Sequence, residues 1–524
     1  MFGANSPGDL QVANYFFDTI TAAQALAFDS AADALFFKSG EASAITAIFL
    51  PADALNPERV SLTLGSSTVV FGAGLKGETV NFSDSTLFIG ATGGDNATGT
   101  ANSDALFGNE GNDTLNGGAG ADLLQGNQGN DVMDGGAGAD TVYGGRDDDT
   151  IATGDGANFA QGNMGNDSIT GGAGADTLLG GKDNDTIAGG GGADFLNGNL
   201  GNDKITGDAG AESIFGEDGN DTLDGADGNN SINGGAGDDV ITMGAGNNTV
   251  TAGDGADAVT GGAGNDTIDG GADSDVIAGG AGSNVLRGGA GVDSITGGAD
   301  NDTIFGDDGA DTLDGGAGVN TVDGGLGDDV LSFTGGAGTL AGGDGADRLT
   351  ADATGATLDG GAGDDTAVGG AGADTLIGGD GGDALAGGGG DDSISGGAGA
   401  DNISGSGGKD IIAGGAGADV FQVSSSTTVG LGDQITDWAA EDKLDFTGPA
   451  VTVPTYVEGT YADFAAAQAD ADAKIATGAI NFVVAQVGAN LVVFADSANN
   501  DGAADDAIVL VGKTLADIDS TNLI

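Results

Sequence analysis

Residues 171–190 read GGAGADTLLGGKDNDTIAGG. Asp176 and Asp185 stand nine residues apart, each after a glycine pair and each followed two positions later by a large apolar residue, Leu178 and Ile187. Stepping by nine from Asp95 to Asp419 gives 37 positions, of which 29 are Asp, with no insertion or deletion. Two residues further on, from Leu106 to Phe421, 36 positions are large and apolar except for Ala160 and Ala367. A flexible Gly-rich linker has no need of a hydrophobe on schedule, so the pattern predicts a folded repeat. Most stretches between the aspartates carry a glycine pair or one Gly plus Asn, as in Gly126-Asn127 and Gly162-Asn163. Asn is the next-best residue for a left-handed turn.

The nonapeptide divides into an apolar half and a glycine half. The three residues around each hydrophobe read as a very short strand with the hydrophobe inward and its neighbours outward. The Gly-rich half reads as a turn with its carbonyls uncovered. Two units return the chain over itself after 18 residues, so coils stack by strand pairing and the hydrophobes form a ladder. A lone coil buries almost nothing, whereas a stack buries its core cooperatively. The 36 apolar positions give 18 coils, roughly 85 Å of stack at about 4.8 Å per strand. The expected fold is all-β, a parallel β-roll, with a small mixed α/β domain before it and an α+β cap after it.

Composition narrows the partners. The chain has 524 residues, 110 of them Gly, and 81 Asp and Glu against 12 Lys and Arg, a formal charge of −69. Nucleic acid and anionic membrane surfaces repel such a chain, and cations attract it. There is no Cys and no His, which excludes disulfides, thiol chemistry, zinc fingers and His-based triads. No run of about 18 uncharged apolar residues occurs, so no membrane-inserted helix is expected. The start, MFGANSPGDLQVANYFFD, shows no basic segment ahead of an apolar run, so no conventional N-terminal leader is expected.

The repeat G-G-x-G-x-D-x-U-x, where U is large and apolar, resembles the RTX, or haemolysin-type, calcium-binding nonapeptide. The resemblance covers about 325 residues of the chain. It implies a β-roll loaded with many Ca²⁺ ions. The implied ligands are Asp95, Asp113, Asp131, Asp149, Asp167, Asp185, Asp203, Asp221, Asp239, Asp257, Asp275, Asp293, Asp311, Asp329, Asp347, Asp365, Asp383, Asp401 and Asp419 on one turn row. On the other they are Asp104, Asp122, Asp140, Asp176, Asp194, Asp266, Asp302, Asp374, Asp392 and Asp410. Electrostatics agrees: carboxylates stacked about 5 Å apart repel by about 3 kcal/mol at an effective dielectric of 20. Ca²⁺ takes six to eight oxygens, carboxylate or carbonyl, and suits such a column better than Mg²⁺ does.

The eight positions that break the Asp pattern are Asn158, Glu212, Asn230, Asn248, Asn284, Asn320, Gly338 and Ala356, and every gap between them is a multiple of 18. They therefore share one turn row. One calcium column is expected to be complete and the other to weaken in its middle, most from about 284 to 356.

Three segments follow: 1–90, 91–421 for the roll, and 422–524. The first has an Ala-rich stretch, TITAAQALAFDSAADALFF, read as containing helix, a hairpin in RVSLTLGSSTVVFG, and STLFIG as the strand that feeds the array. Its Asp18, Asp29, Asp33 and Glu41 form no recognisable catalytic constellation. In the last segment, Thr460 and Asp463 have capping-box spacing before a helix with Phe464, Ala471 and Ile475 on one face, stopping near Gly478. INFVVAQVGANLVVFA reads as two strands around a turn and AIVLVG as a third. The acidic stretch at 494–508 fits calcium-loop spacing poorly and reads as a turn. GGAGADVFQV…GDQITDWAAEDKLDF, within residues 414–446, is similar to the segment after the repeats of type I secreted proteins. That similarity implies an uncleaved C-terminal signal, an ABC-type exporter as partner and a Gram-negative source. The functional expectation is a secreted, calcium-stabilised structural protein of a cell surface or matrix, an S-layer, filament or biofilm component that binds other copies of itself. The alternatives are an adhesin, with cell-surface polysaccharide as partner, and a secreted enzyme with a repeat tail.

Overall fold

An apolar residue at every ninth position can be buried only if successive nonapeptides face one another, because strand side chains alternate. The computed structural model builds that arrangement. It describes residues 86–423 except 334, 336, 353 and 354, then 433–446, 456–475, 482–495, 506–519 and 521–524, and before residue 86 only the backbone of strands between 14 and 81. The chain divides into two compact units, Met1–Asp254 and Gly255–Ile524.

Within each unit the strands of the repeat array pair in parallel with the strand 18 residues on, so alternate strands build two sheets. In the first unit Leu115 lies beside Met133 in one sheet, and Leu124 beside Val142 in the other. In the second, Ile277 lies beside Ile295 and Ile268 beside Leu286. The inward residues Leu115, Leu124, Ile151, Ile268, Ile295 and Leu313 are buried. Ala160 and Ala367 occupy the same ladder and are buried too, so each leaves a smaller side chain in its rung. This is an all-β, parallel β-roll with an 18-residue coil.

The strands are longer than the three residues expected. Thr114–Ala119, Val132–Ala137 and Val276–Ala281 each run six residues and take in the glycine pair. The reason lies in the glycines. The first of the pair, such as Gly117, points inward and is buried. The second, such as Gly118 at φ +97°, adopts a left-handed conformation that costs glycine nothing and still hydrogen-bonds to the next coil. Asn127 and Asn163 adopt the same left-handed angle, φ 83° and 82°. Turn amides join the ladder as well: Gly120 donates to Ala137 O at 2.7 Å and Gly264 to Ala281 O at 2.8 Å.

The elements before the roll belong to the first unit. Arg59–Leu64 pairs antiparallel with Ser67–Gly72 and with Ile45–Leu50. Thr86–Ile89 lies parallel to Ala105–Glu110, as a feeding strand should. In the Ala-rich stretch, Ala34–Phe36 is a strand paired with Asn14–Phe16, not helix. Phe36 and Leu35 carry strand propensity that outweighs the alanines before them. The rest of that stretch, and the side chains of Asp18, Asp29, Asp33 and Glu41, lie outside the described residues.

In the second unit the ladder continues past residue 421. Gln434–Ile435 pairs with Ile411–Ala416, and Lys443–Phe446 with Val420–Val423. The C-terminal strands then extend one roll sheet: Asp506–Leu510 pairs with Gln434–Ile435 and with Asn490–Ala495, which pairs with Phe482–Val487. Adding strands covers a sheet edge that would otherwise template aggregation. A helix, Phe464–Ile475, buries Ala467, Ala471 and Ile475 against Val483, Val492 and Phe494. Its cap is Asp463, whose Oδ1 accepts the Ala466 amide at 2.9 Å. Thr460, expected to cap, sits instead in strand Tyr456–Tyr461, because strand pairing with Phe482–Val487 reaches through that position. Gly478 lies outside the described residues. Trp438 is buried against Phe421 and donates to Asp517 O at 3.1 Å.

Candidate metal-binding turns

Each turn aspartate ends a glycine turn and begins a strand, which points its carboxylate back into the turn rather than out to water. From Asp113 and Asp122 onward these side chains are almost fully buried, Asp122 at 2% exposure and Asp131 at 1%. One carboxylate oxygen is spoken for. Oδ1 accepts the backbone amide of the residue 18 earlier: Asp131 from Asp113 at 2.8 Å, Asp140 from Asp122 at 2.8 Å, Asp293 from Asp275 at 2.8 Å, Asp392 from Asp374 at 2.9 Å. The carboxylate row is thus also a hydrogen-bond row between coils.

The other oxygen has no such partner. At Asp113, Asp131, Asp149, Asp185, Asp275, Asp329 and Asp419 in one row, and at Asp122, Asp176, Asp302, Asp374 and Asp410 in the other, Oδ2 is buried with no hydrogen bond. A buried acceptor without a donor costs free energy, and a buried carboxylate costs more. These oxygens face a small hollow. A Cβ added at Gly297 would lie 2.6 Å from Asp302 Oδ2 and 2.8 Å from the Gly315 carbonyl oxygen. At Gly117 the same construction meets Asp122 Oδ2 and Gly135 O, each at 2.5 Å. The glycine five residues before each aspartate, except at Asp257 where Ala252 stands there, therefore keeps open a space lined by a carboxylate oxygen of one coil and a carbonyl of the next.

Burial also disfavours the charged form of these carboxylates. Burial pushes Asp122 and Asp131 up to about 7 and Asp149 and Asp185 to about 8, with neighbouring carboxylates of the row adding to the rise and the accepted backbone amide opposing it. Desolvation, more than the mutual repulsion emphasised by the sequence, is the larger cause. A hard cation with a taste for carboxylate and carbonyl oxygens answers both, and Ca²⁺ fits this donor set. The hollows are not acidic clusters: among the described residues no three acidic side chains gather at one point. Each offers a carboxylate oxygen and a backbone carbonyl of the next coil.

The structure treats the 29 aspartates unequally. Asp95 and Asp104 begin the rows, and their Oδ2 atoms accept the amides of Ala91 at 2.6 Å and Thr100 at 2.5 Å, so these two lack the unpartnered oxygen. Glu212, counted among the breaks in the pattern, keeps a buried carboxylate with both oxygens unpartnered, and burial pushes it up to about 7. Two further members were missed. Asp433 Oδ1 accepts the Asp410 amide at 3.0 Å and Asp442 Oδ1 the Asp419 amide at 3.2 Å. Both rows thus continue across a 23-residue spacing. The signal was present: Asp433 and Asp442 stand nine apart, and each precedes a buried hydrophobe by two, Ile435 and Leu444.

No curated protein matches the chain. Among solved structures, it is similar to the AlgE6R3 subunit of the Azotobacter vinelandii mannuronan C5-epimerase, 22% identical over 33% of this chain and 78% of that one, with a TM-score of 0.18. It is also similar to the extracellular lipase LipA from Serratia marcescens, 19% identical over 50% of this chain and 40% of the lipase, with a TM-score of 0.15. The family model of the RTX calcium-binding nonapeptide repeat (4 copies) matches in overlapping stretches over residues 89–332 and again over 355–385 and 386–421. Those stretches are more than half of the sequence and hold the buried carboxylate rows, and the chain belongs to the RTX calcium-binding nonapeptide repeat family, whose repeats bind Ca²⁺ in many copies.

Proposed function

We propose that this chain is an extracellular structural protein whose roll is completed by Ca²⁺ and then associates with other copies of itself. The observation that carries the calcium part is the rows of buried Oδ2 atoms that face carbonyl-lined hollows without a hydrogen-bond donor. Asp113 to Asp419 in one row, and Asp122 to Asp410 where Asp is retained in the other, hold the ions together with turn carbonyls. Glu212 belongs with them, whereas Asp433 and Asp442 extend the hydrogen-bond rows, Asp442 Oδ2 accepting the Ala439 amide at 2.6 Å.

A calcium-poor cytosol leaves such carboxylates uncompensated, so the chain stays unfolded for export through an ABC-type exporter that reads residues 422–524. Calcium outside binds only the native state and pulls the equilibrium to it. No helix among the described residues is long and apolar enough to cross a membrane. Self-association is supported by the outward strand positions, where Val132, Val276, Val319, Leu326 and Ile411 are at least half exposed. Residues 1–90 are the proposed contact element. Circular dichroism and sedimentation during a Ca²⁺ titration test the reading. A rise in strand signal followed by large assemblies supports it. Folding to a lasting monomer removes the structural part and directs attention to a surface ligand such as polysaccharide. Assembly that persists after deletion of residues 1–90 removes only the contact assignment.

A further inference from the structure

The breaks in the second turn row are more than losses of a carboxylate. Asn158, Asn284 and Asn320 sit in the same buried slot as Asp, and their Oδ1 atoms accept the same amide from the coil before, Asp140, Asp266 and Asp302 at 2.7, 2.9 and 2.8 Å. The difference is the other atom. Where Asp points an acceptor at the turn carbonyls, Asn points an NH₂. Asn158 Nδ2 donates to Gly154 O at 3.2 Å, Asn230 to Gly225 O at 2.8 Å, Asn284 to Gly282 O at 3.2 Å and Asn320 to Gly315 O at 2.8 Å. A neutral hydrogen-bond donor, its hydrogens partly positive, is thereby supplied to the carbonyls from within the chain.

The hollow is closed at some of these rungs as well. The glycine five residues before the slot is Met243 before Asn248 and Phe333 before Gly338. Both side chains are buried, and each reaches the hollow one coil earlier. The Met243 sulfur lies 2.8 Å and Asn230 Nδ2 3.1 Å from the place of a Cβ on Gly225, and Phe333 Cδ1 and Asn320 Nδ2 lie 2.9 and 3.0 Å from that on Gly315. Around Phe333 the strands also grow through the turn. Val319–Leu326 and Ala337–Asp344 run eight residues and pair Asn320 with Gly338, which pairs with Ala356. The family model passes over residues 333–354.

We infer that in this row the Asn carboxamides, with Met243 and Phe333 as plugs, take the place of bound calcium, so that these rungs are locked without an ion while the all-Asp row requires one at each. The inference rests on the calcium reading above and concerns which hollows are filled by the chain itself. Asn284 is the cleanest case, because Gly279 still keeps its hollow open.

The test uses the full chain loaded with Ca²⁺ alone. An anomalous difference map is expected to show ions beside Asp275 and Asp293 and none beside Asn284 or Asn320. By equilibrium dialysis, N284D is expected to bind more Ca²⁺ per chain than the wild type, and D302N less. Ions beside Asn284 and Asn320 in the native crystal, or an unchanged stoichiometry in a folded N284D, overturn the inference and leave the calcium reading standing. A chain that binds no Ca²⁺ in either row removes both.

Discussion

The two turn rows of the roll share a backbone and differ in what fills them. In the first, every position from Asp113 to Asp419 is Asp, and the residue five before each is Gly with Ala252 as the single departure. In the second, eight positions depart from Asp, and at four of these, Asn158, Asn248, Gly338 and Ala356, the preceding glycine is replaced too, by Thr153, Met243, Phe333 and Ala351. On the reading proposed above, the same turn is closed by an external ion held between oxygens, or by amides and apolar groups of the chain itself. The first solution couples folding to the medium; the second does not.

Removing calcium probes that difference most strongly. Chelation with EGTA at neutral pH is expected to abolish most of the strand signal, since an all-Asp row then buries many uncompensated carboxylates. A roll that keeps its circular dichroism after complete metal removal breaks the comparison at its root.

Acid is expected to act next, and in opposite directions with and without the ion. Folded-state values for Asp122, Asp149 and Asp185 are raised from 3.8 to about 7 or 8. Raised values mean that the metal-free fold binds protons more tightly than the unfolded chain does. The stability these groups contribute is fully present below about pH 4 and is lost as pH rises through about 8. Calcium-free protein titrated downward from pH 8 should gain strand signal. The calcium-loaded protein should release its ions over the same descent, because protons compete for the carboxylates. A metal-free chain that gains no structure on acidification sinks this account.

Filling a single hollow should have a smaller effect. Gly297→Ala places a Cβ against Asp302 Oδ2 and Gly315 O, and overpacking of this kind costs about 1–3 kcal/mol. Urea denaturation in calcium measures it, and an unchanged midpoint would mean that the hollow is not needed. The smallest expected change is that of Asp185→Asn in the all-Asp row. Without calcium the amide removes a buried charge and should raise the melting temperature; with calcium it removes a ligand and should lower it. A change of about 1 kcal/mol either way moves the midpoint by roughly 1–2 °C in a chain of this size. Shifts of one sign in both media would show that Asn cannot stand in for the ion there.

Residue identity was enough to read the coil. Leu178 and Ile187 on a nine-residue schedule predict the ladder, and Asn127 and Asn163 in place of glycine predict left-handed turns, because both follow from local stereochemistry and period. Other features needed the neighbouring coil. The six-residue strands arise because the glycine pair finds partners above and below. Asp463 caps the helix in place of Thr460 because sheet pairing claims Thr460. Asp433 and Asp442 were hidden by a 23-residue spacing although their D-x-U signature was intact.

The sequence by itself determined the repeat, the burial of one hydrophobe per nonapeptide and the segregation of every break to one turn row, since periods of 9 and 18 are arithmetic on the chain. Only the tertiary structure decided which atoms each row leaves without a partner. An Asp and an Asn at the same place in the period look alike until the next coil is stacked on them. Stacking then leaves Asp with a buried acceptor and no donor, and gives Asn a carbonyl to bind.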